Sequence, residues 1–195
     1  MDEIREKKQN LRDEVAKKLD ALSEKELIEK TSQVEKRLLE FANFLEANIV
    51  LLYINSVHEI MTKRIIERCF ALNKLVVLPA FRSEKRQIKL FKVDTLATDL
   101  KPGVRGIPEP EQTLCKEVPI DRIDIAIIPG IVFDEKGSRL GKGEGYYDRL
   151  IPKLSMTTRK VSLAFESQIV DQVPMESHDK QVDIIVTEER VIYKI

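Results

Sequence analysis

The sequence predicts the α/β class, as a single three-layer α/β/α domain over residues 1–195 with a mainly parallel, Rossmann-like sheet. Three observations carry that prediction. Short apolar runs rich in β-branched residues, Ile49–Ile54, Leu75–Pro79, Ile123–Pro129 and Lys160–Phe165, read as buried strands. A helical pattern between the first two runs makes a βαβ unit, which implies parallel pairing through a right-handed crossover. Two charged amphipathic helices within residues 1–46 supply apolar faces to pack on such a sheet.

Taken in order, residues 2–21 form the first helix, with Ile4, Leu11, Val15, Leu19 and Leu22 on one face. Ser23 followed by Glu26 is a capping box that starts the second helix, whose apolar positions Leu27, Thr31, Val34, Leu38, Phe41 and Leu45 alternate at spacings of four and three. After the strand Ile49–Ile54, Ser56 and Glu59 form another S-x-x-E box, predicted to start a helix that runs to about Leu72. Gln87–Val93 alternates polar and apolar as a half-exposed strand does, and residues 95–119, with the segment Gly106-Ile107-Pro108-Glu109-Pro110, read as loop with no assigned chemistry. A final strand pair falls at Val182–Val186 and Val191–Tyr193.

Between Ile123–Pro129 and a helical stretch at Tyr146–Leu154 stands PGIVFDEKGSRLGKGEGYYDRL, residues 129–150, which holds five of the seven glycines. The order strand, glycine-rich loop, helix start suits an anion. Glycines let backbone N–H groups converge, and a helix start adds unpaired donors. Arg139 and Lys142 add positive charge, and Asp148 offers a carboxylate for a cation that neutralises phosphate. The loop is no Walker A motif, since Gly143 stands where Ser or Thr belongs after Lys142. It is no dinucleotide fingerprint either, since Tyr146 and Asp148 occupy positions that require glycine.

Composition narrows the partners. Lys plus Arg and Asp plus Glu both number 33, a neutral balance that argues against nucleic acid or an anionic membrane. No apolar run reaches the roughly 20 residues that span a bilayer, and MDEIREKKQN lacks a signal-peptide core, so the expected setting is the cytoplasm. Cys69 and Cys115 are too far apart in sequence for a metal knuckle and read as two reduced thiols. His58 and His178 sit in no recognisable triad, and no G-x-S-x-G elbow is present. The chain is expected to be a monomer acting on small molecules.

The loop resembles the signature of the 5-formyltetrahydrofolate cyclo-ligases (5,10-methenyltetrahydrofolate synthetases), roughly P-G-x-x-F-D-x-x-G-x-R-L-G-x-G-x-G-Y-Y-D-R. Every fixed position from Pro129 to Arg149 is matched. The resemblance implies ATP- and magnesium-dependent conversion of 5-formyltetrahydrofolate into 5,10-methenyltetrahydrofolate with release of ADP and phosphate. It implies catalytic roles for Lys142 and Arg139. It places Lys8, Arg12, Arg139, Leu140, Gly141, Lys142, Gly143, Glu144, Gly145, Tyr146 and Tyr147 at ATP, which is a co-substrate. It places Ile54, Glu59, Lys142, Gly143, Glu144, Gly145 and Tyr146 at the folate, and Asp148 and Asp179 at Mg2+, with His178 structural or behind the metal ligands. The segment Val173-Pro174 to Asp179 matches the family's V-P-x-x-x-x-D, and G-I-x-E-P matches at Gly106–Pro110. Where the family often has a second arginine, seven residues after Arg12, this chain has Leu19.

Some readings stay double. Glu59 is both a cap and an acceptor for two N–H groups of an aminopyrimidinone ring. Tyr146 and Tyr147 either anchor the helix start in the core or pack on pterin or adenine. Arg149 is expected to tie the loop down through a salt bridge. Two other classes remain open: an ATP- or phosphate-binding module of the same fold without this activity, and a sugar-phosphate isomerase or CoA-transferase-like enzyme.

Overall fold

In the computed structural model, which describes residues 2–194, helix α1 (Asp2–Asp20) and helix α2 (Glu24–Glu40) come first. The domain predicted over 1–195 extends one residue beyond the described residues at each end. Ser23 caps α2 reciprocally, its Oγ accepting from the Glu26 N–H and its own N–H donating to Glu26 Oε2 at 2.8 Å. The predicted continuation to Leu45 breaks at Phe41. That residue turns extended (φ −74°, ψ 122°), packs its ring against Tyr193 and separates α2 from a short helix α3 (Ala42–Glu46).

The central sheet has seven strands. In chain order they are β1 (Ile49–Leu51), β2 (Leu75–Arg82), β3 (Gln87–Val93), β6 (Ile125–Ile127), β9 (Arg159–Leu163), β11 (Ile184–Val186) and β12 (Val191–Tyr193), and in space β12-β11-β9-β6-β1-β2-β3. The five inner strands pair in parallel, and β3 and β12 run antiparallel on the two edges. Helix α4 (Lys63–Ala71) makes the crossover from β1 to β2. Register places β1 opposite β2 only as far as Val77, so Pro79 lies beyond the β1 ladder, where a missing N–H leaves no bond unmade.

Strand side chains alternate between two apolar layers, as the period of two requires. Val50, Val76, Ile125, Ile127, Val161 and Ile184 face α1, α2 and α4, meeting Val15, Leu19, Val34, Leu38, Ile65 and Cys69. Leu51, Val77, Ala126 and Ile185 face the other way, onto helix α5 (Tyr146–Leu150) with Tyr146, Tyr147 and Leu150. This is the predicted α/β/α sandwich. After α5 the chain tightens into a 3-10 turn at Ile151–Lys153, where Pro152 removes a helix donor, so the predicted helix to Leu154 is shorter.

Two predicted loops contain strands. Strands β4 (Leu100–Pro102) and β5 (Pro108–Pro110) form a hairpin within residues 95–119. Strands β7 (Val132–Asp134) and β8 (Arg139–Leu140) form another inside the glycine-rich stretch, with β10 (Ile169–Val170) beside β7. Buried Asp134 holds that second hairpin. One oxygen accepts from the Lys136 and Ser138 N–H groups and the other from the Val173 N–H at 2.9 Å. Gly137 turns it at φ 81°, where a Cβ would collide with the Val182 carbonyl oxygen.

The helix predicted from Ser56 is not there. Ser56–Glu59 closes as a turn, His58 sits at φ 66°, and α4 starts only at Lys63, because the buried Thr62 hydroxyl bonds back to the Tyr53 carbonyl.

Candidate functional site

The site lies beyond the C-terminal ends of β1 and β6, where parallel strands of an open α/β sheet present ligand sites. A narrow cleft opens there, lined by Tyr53, Ile54, Glu59, Phe81, Arg105, Pro129 and Tyr147. It contains two predicted substrate contacts, Ile54 and Glu59. One Glu59 oxygen accepts from both the N–H and the Oγ of Ser56 at 2.8 Å, so the carboxylate is fixed while its second oxygen has no hydrogen-bond partner among the described residues. The turn behind it is pinned twice. Gln168 Nε2 donates to the His58 carbonyl, and His58 Nε2 lies 2.8 Å from Asp20 Oδ1 at the end of α1. Burial first, and the Glu59 charge second, push the Tyr53 and Tyr147 hydroxyls well above their ordinary pKa, so both stay protonated.

The glycine-rich loop flanks this cleft. Gly143 and Gly145 take φ 88° and 73°, which lets residues 141–145 arch between β8 and α5. Arg12 on α1 reaches the loop, its Nε donating to the Gly141 carbonyl at 2.8 Å. Arg139 is 5% exposed, donates to Asp148 Oδ1 at 2.9 Å and stacks over the Tyr147 ring. Burial pulls the Arg139 pKa down, and the Asp148 charge opposes that. Lys142 stands exposed at the loop tip with no hydrogen-bond or ion-pair partner among the described residues. Leu140 is buried, and Glu144 is drawn aside by Arg105. Tyr146 and Tyr147 both anchor α5, their rings edge-on to Phe81 at 5.0 Å and 6.4 Å, and Tyr147 also faces the cleft. Arg149 ties the helix down through the Lys85 carbonyl at 3.0 Å rather than through a carboxylate.

Lys8 is the second α1 cation of the predicted site. It is 6% exposed and donates to Glu176 Oε2 at 2.7 Å and Asp179 Oδ2 at 2.5 Å. Burial lowers the Lys8 pKa, and bonds to Asp179 and Glu176 outweigh it, leaving the pKa raised. For Asp179 burial acts upward, and Lys8 with the Glu176 N–H carries it below its ordinary value. Ligand atoms of Glu176, His178 and Asp179 lie within 4.8 Å of one another. Such oxygen-rich donors suit magnesium, and here they hold the Lys8 ammonium, so this is a place where a cation sits. Asp148 approaches from beside Asp179, accepting the Lys180 N–H at 3.1 Å.

The fold thus brings Lys8, Arg12, Arg139, the loop, Asp148 and Asp179 to one end of the sheet, next to the cleft with Ile54 and Glu59. Leu19 belongs to the core, and of its neighbours Lys18 pairs with Glu14 while Lys17 is exposed. Sequence reasoning missed Glu176 and Arg105. The cluster Glu176-Ser177-His178-Asp179 was a readable signal for the first. Arg105 had none, since its role depends on Phe81 and Tyr146 from other elements.

Comparison with known proteins identifies the family. The sequence model of the 5-formyltetrahydrofolate cyclo-ligase family matches residues 4–188. The 5-formyltetrahydrofolate cyclo-ligase of Haemophilus influenzae is 32% identical over 186 residues, which cover 93% of this chain and 98% of that protein. Its namesake from Mus musculus is 25% identical over 190 residues, covering 93% and 94%. The NMR structure of Aquifex aeolicus 5,10-methenyltetrahydrofolate synthetase superposes with a TM-score of 0.83 at 32% identity, covering 95% of this chain and 92% of that one. The 5,10-methenyltetrahydrofolate synthetase of Mycoplasma pneumoniae shares the fold, with a TM-score of 0.74 at 22% identity, covering 93% and 99%. The chain belongs to the 5-formyltetrahydrofolate cyclo-ligase family.

Proposed function

We propose that this chain, as one domain, converts 5-formyltetrahydrofolate into 5,10-methenyltetrahydrofolate at the expense of ATP. The observation that carries the reading is the juxtaposition of a fixed carboxylate in a narrow cleft, Glu59, with a glycine loop that presents an unpaired ammonium, Lys142.

The formyl oxygen attacks the γ-phosphorus, and the bond to the β,γ-bridging oxygen breaks to release ADP. The neighbouring substrate nitrogen then attacks the formyl carbon and gives up its proton to solvent, the new C–N bond closes the ring, and the C–O bond breaks to expel phosphate. Such chemistry needs no protein nucleophile. It needs reactants held in line and charge offset as it moves. Lys142 meets the transferring phosphoryl group. Arg139, locked by Asp148 and by burial, holds a fixed positive field behind the loop. Loop amides from Gly141 to Gly145 and the cations Lys8 and Arg12 receive the phosphates, with Leu140, Tyr146 and Tyr147 beneath them. Glu59 orients the aminopyrimidinone ring by accepting its N–H groups, with Ile54 packed on the ring. Glu144 and the loop glycines border both ligands. Asp148 and Asp179, joined by Glu176, are the carboxylates for Mg2+. When bound, magnesium offsets phosphate charge and fixes the phosphate geometry.

Small-molecule substrates fit a neutral surface better than nucleic acid does. No described helix is long and apolar enough to cross a membrane. We assign the protein to the cytoplasm as a monomer.

The test is the absorbance of methenyltetrahydrofolate formed from 5-formyltetrahydrofolate with and without ATP and magnesium. Turnover should need all three, and Lys142→Ala should lower kcat by about 10²- to 10³-fold, as loss of one transition-state donor does. Intact ATP binding without any turnover would sink the reading and leave a nucleotide-binding relative.

A further inference from the structure

The β4–β5 hairpin carries a residue that the reaction as described does not use. Arg105, 17% exposed, projects from that hairpin into the wall of the substrate cleft. Its guanidinium lies 4.4 Å from the Phe81 ring centroid and 5.5 Å from that of Tyr146, the first residue of α5. Its Nε is buried with no hydrogen-bond partner among the described residues, and its Nη2 meets Glu144 Oε2 at 2.5 Å. A flat guanidinium stacked on aromatic faces is held at a fixed position and angle, which a lysine would not match. Glu144 by contrast is exposed, and sits between Gly143 and Gly145, both at positive φ. The rigid partner therefore holds the pliant one.

Arg12 grips the same loop from the other side, through the Gly141 carbonyl. Lys142 stands between these two arginine contacts. We infer that the Arg105–Glu144 ion pair is a latch that docks the glycine-rich loop on the wall of the folate cleft and so positions Lys142 over the substrate. Arg105 is then a positioning residue, and through it the shape of the cleft governs the placement of the phosphoryl-transfer lysine. The catalytic part of this inference rests on the proposed cyclo-ligase reaction. The docking part does not.

The test compares the full-length protein with Glu144→Gln, Arg105→Met and the double variant. A latch predicts that each single variant lowers kcat at least tenfold, that the double variant is within twofold of the worse single one, and that the dissociation constant for ATP stays within threefold for Arg105→Met. It also predicts that amide hydrogen exchange across residues 141–145 quickens equally in both single variants. Glu144 is at the surface, so its substitution tests the latch even if Arg105→Met folds poorly. Losses that multiply in the double variant would overturn the latch, since the two side chains would then act separately. So would a defect in Arg105→Met confined to the KM for 5-formyltetrahydrofolate with unchanged loop exchange. If the unaltered protein made no product, the proposed function would fail while the exchange comparison still decided the docking.

Discussion

Two S-x-x-E stretches in this chain read alike in sequence and fold differently. At Ser23–Glu26 the reciprocal bonds start a helix of 17 residues. At Ser56–Glu59 the carboxylate makes the same bond to the serine N–H, yet no helix follows. The first motif is succeeded by apolar residues at helical spacing that face a sheet, and packing of that face is what sustains a helix. The second is succeeded by His58 in the left-handed region and by a Thr62 hydroxyl turned back onto Tyr53. There the motif builds a tight turn that immobilises a carboxylate beside the cleft. The same few bonds start a helix in one place and fix a carboxylate at the cleft wall in the other.

The largest expected effect separates those two uses. Glu59→Gln keeps an oxygen for Ser56 and loses the charge offered to the substrate. Two charged hydrogen bonds at about 1.5 kcal/mol each correspond to a roughly 100-fold fall in kcat/KM for 5-formyltetrahydrofolate, with the melting temperature nearly unchanged. An equally large fall in stability would mean that this turn, like the first, is structural. Next comes Thr62→Val, which leaves the buried Tyr53 carbonyl unpaired and should cost about 1–3 kcal/mol in urea unfolding. A neutral result would remove Thr62 as the reason α4 starts late. Ser23→Ala should cost about 1 kcal/mol, or about 2–4 °C in melting temperature, while steady-state kinetics stay those of the parent. Altered kinetics would tie the first cap to the site after all.

The smallest effect is one of pH. Bonds from the Ser23 hydroxyl and N–H hold the Glu26 carboxyl below its ordinary pKa. A carboxyl depressed on folding stabilises the fold above its unfolded pKa and loses that contribution as pH falls through the folded value. The stability gap between the parent and Glu26→Gln should therefore be widest near neutrality and close on acidification. A gap independent of pH would show that the cap works through shape alone.

Much of the molecule was legible because it depends on local pattern. Gln87–Val93 alternates and is β3 residue for residue, and Ser23 caps α2 as read. The long motif suggested which residues to look for, and the fold brings Lys8, Arg12, Arg139, Asp148 and Asp179 to one end of the sheet. What stayed hidden is what other segments decide. The break at Phe41 answers to Tyr193, and the hairpin within the glycine stretch answers to Asp134 reaching Val173. Arg105 gained a role only when Phe81, Tyr146 and Glu144 were brought around it.

The clasp of Lys8 on Asp179 joins positions 171 residues apart in the chain. On a ribosome adding about 5–20 residues per second, α1 leaves the tunnel roughly 10–30 seconds before the carboxylates it will hold. Until then the Lys8 ammonium has no carboxylate from the far end of the chain to close on. Closure of this end of the molecule therefore waits for the segment that also carries β11 and β12, the strands that complete one side of the sheet.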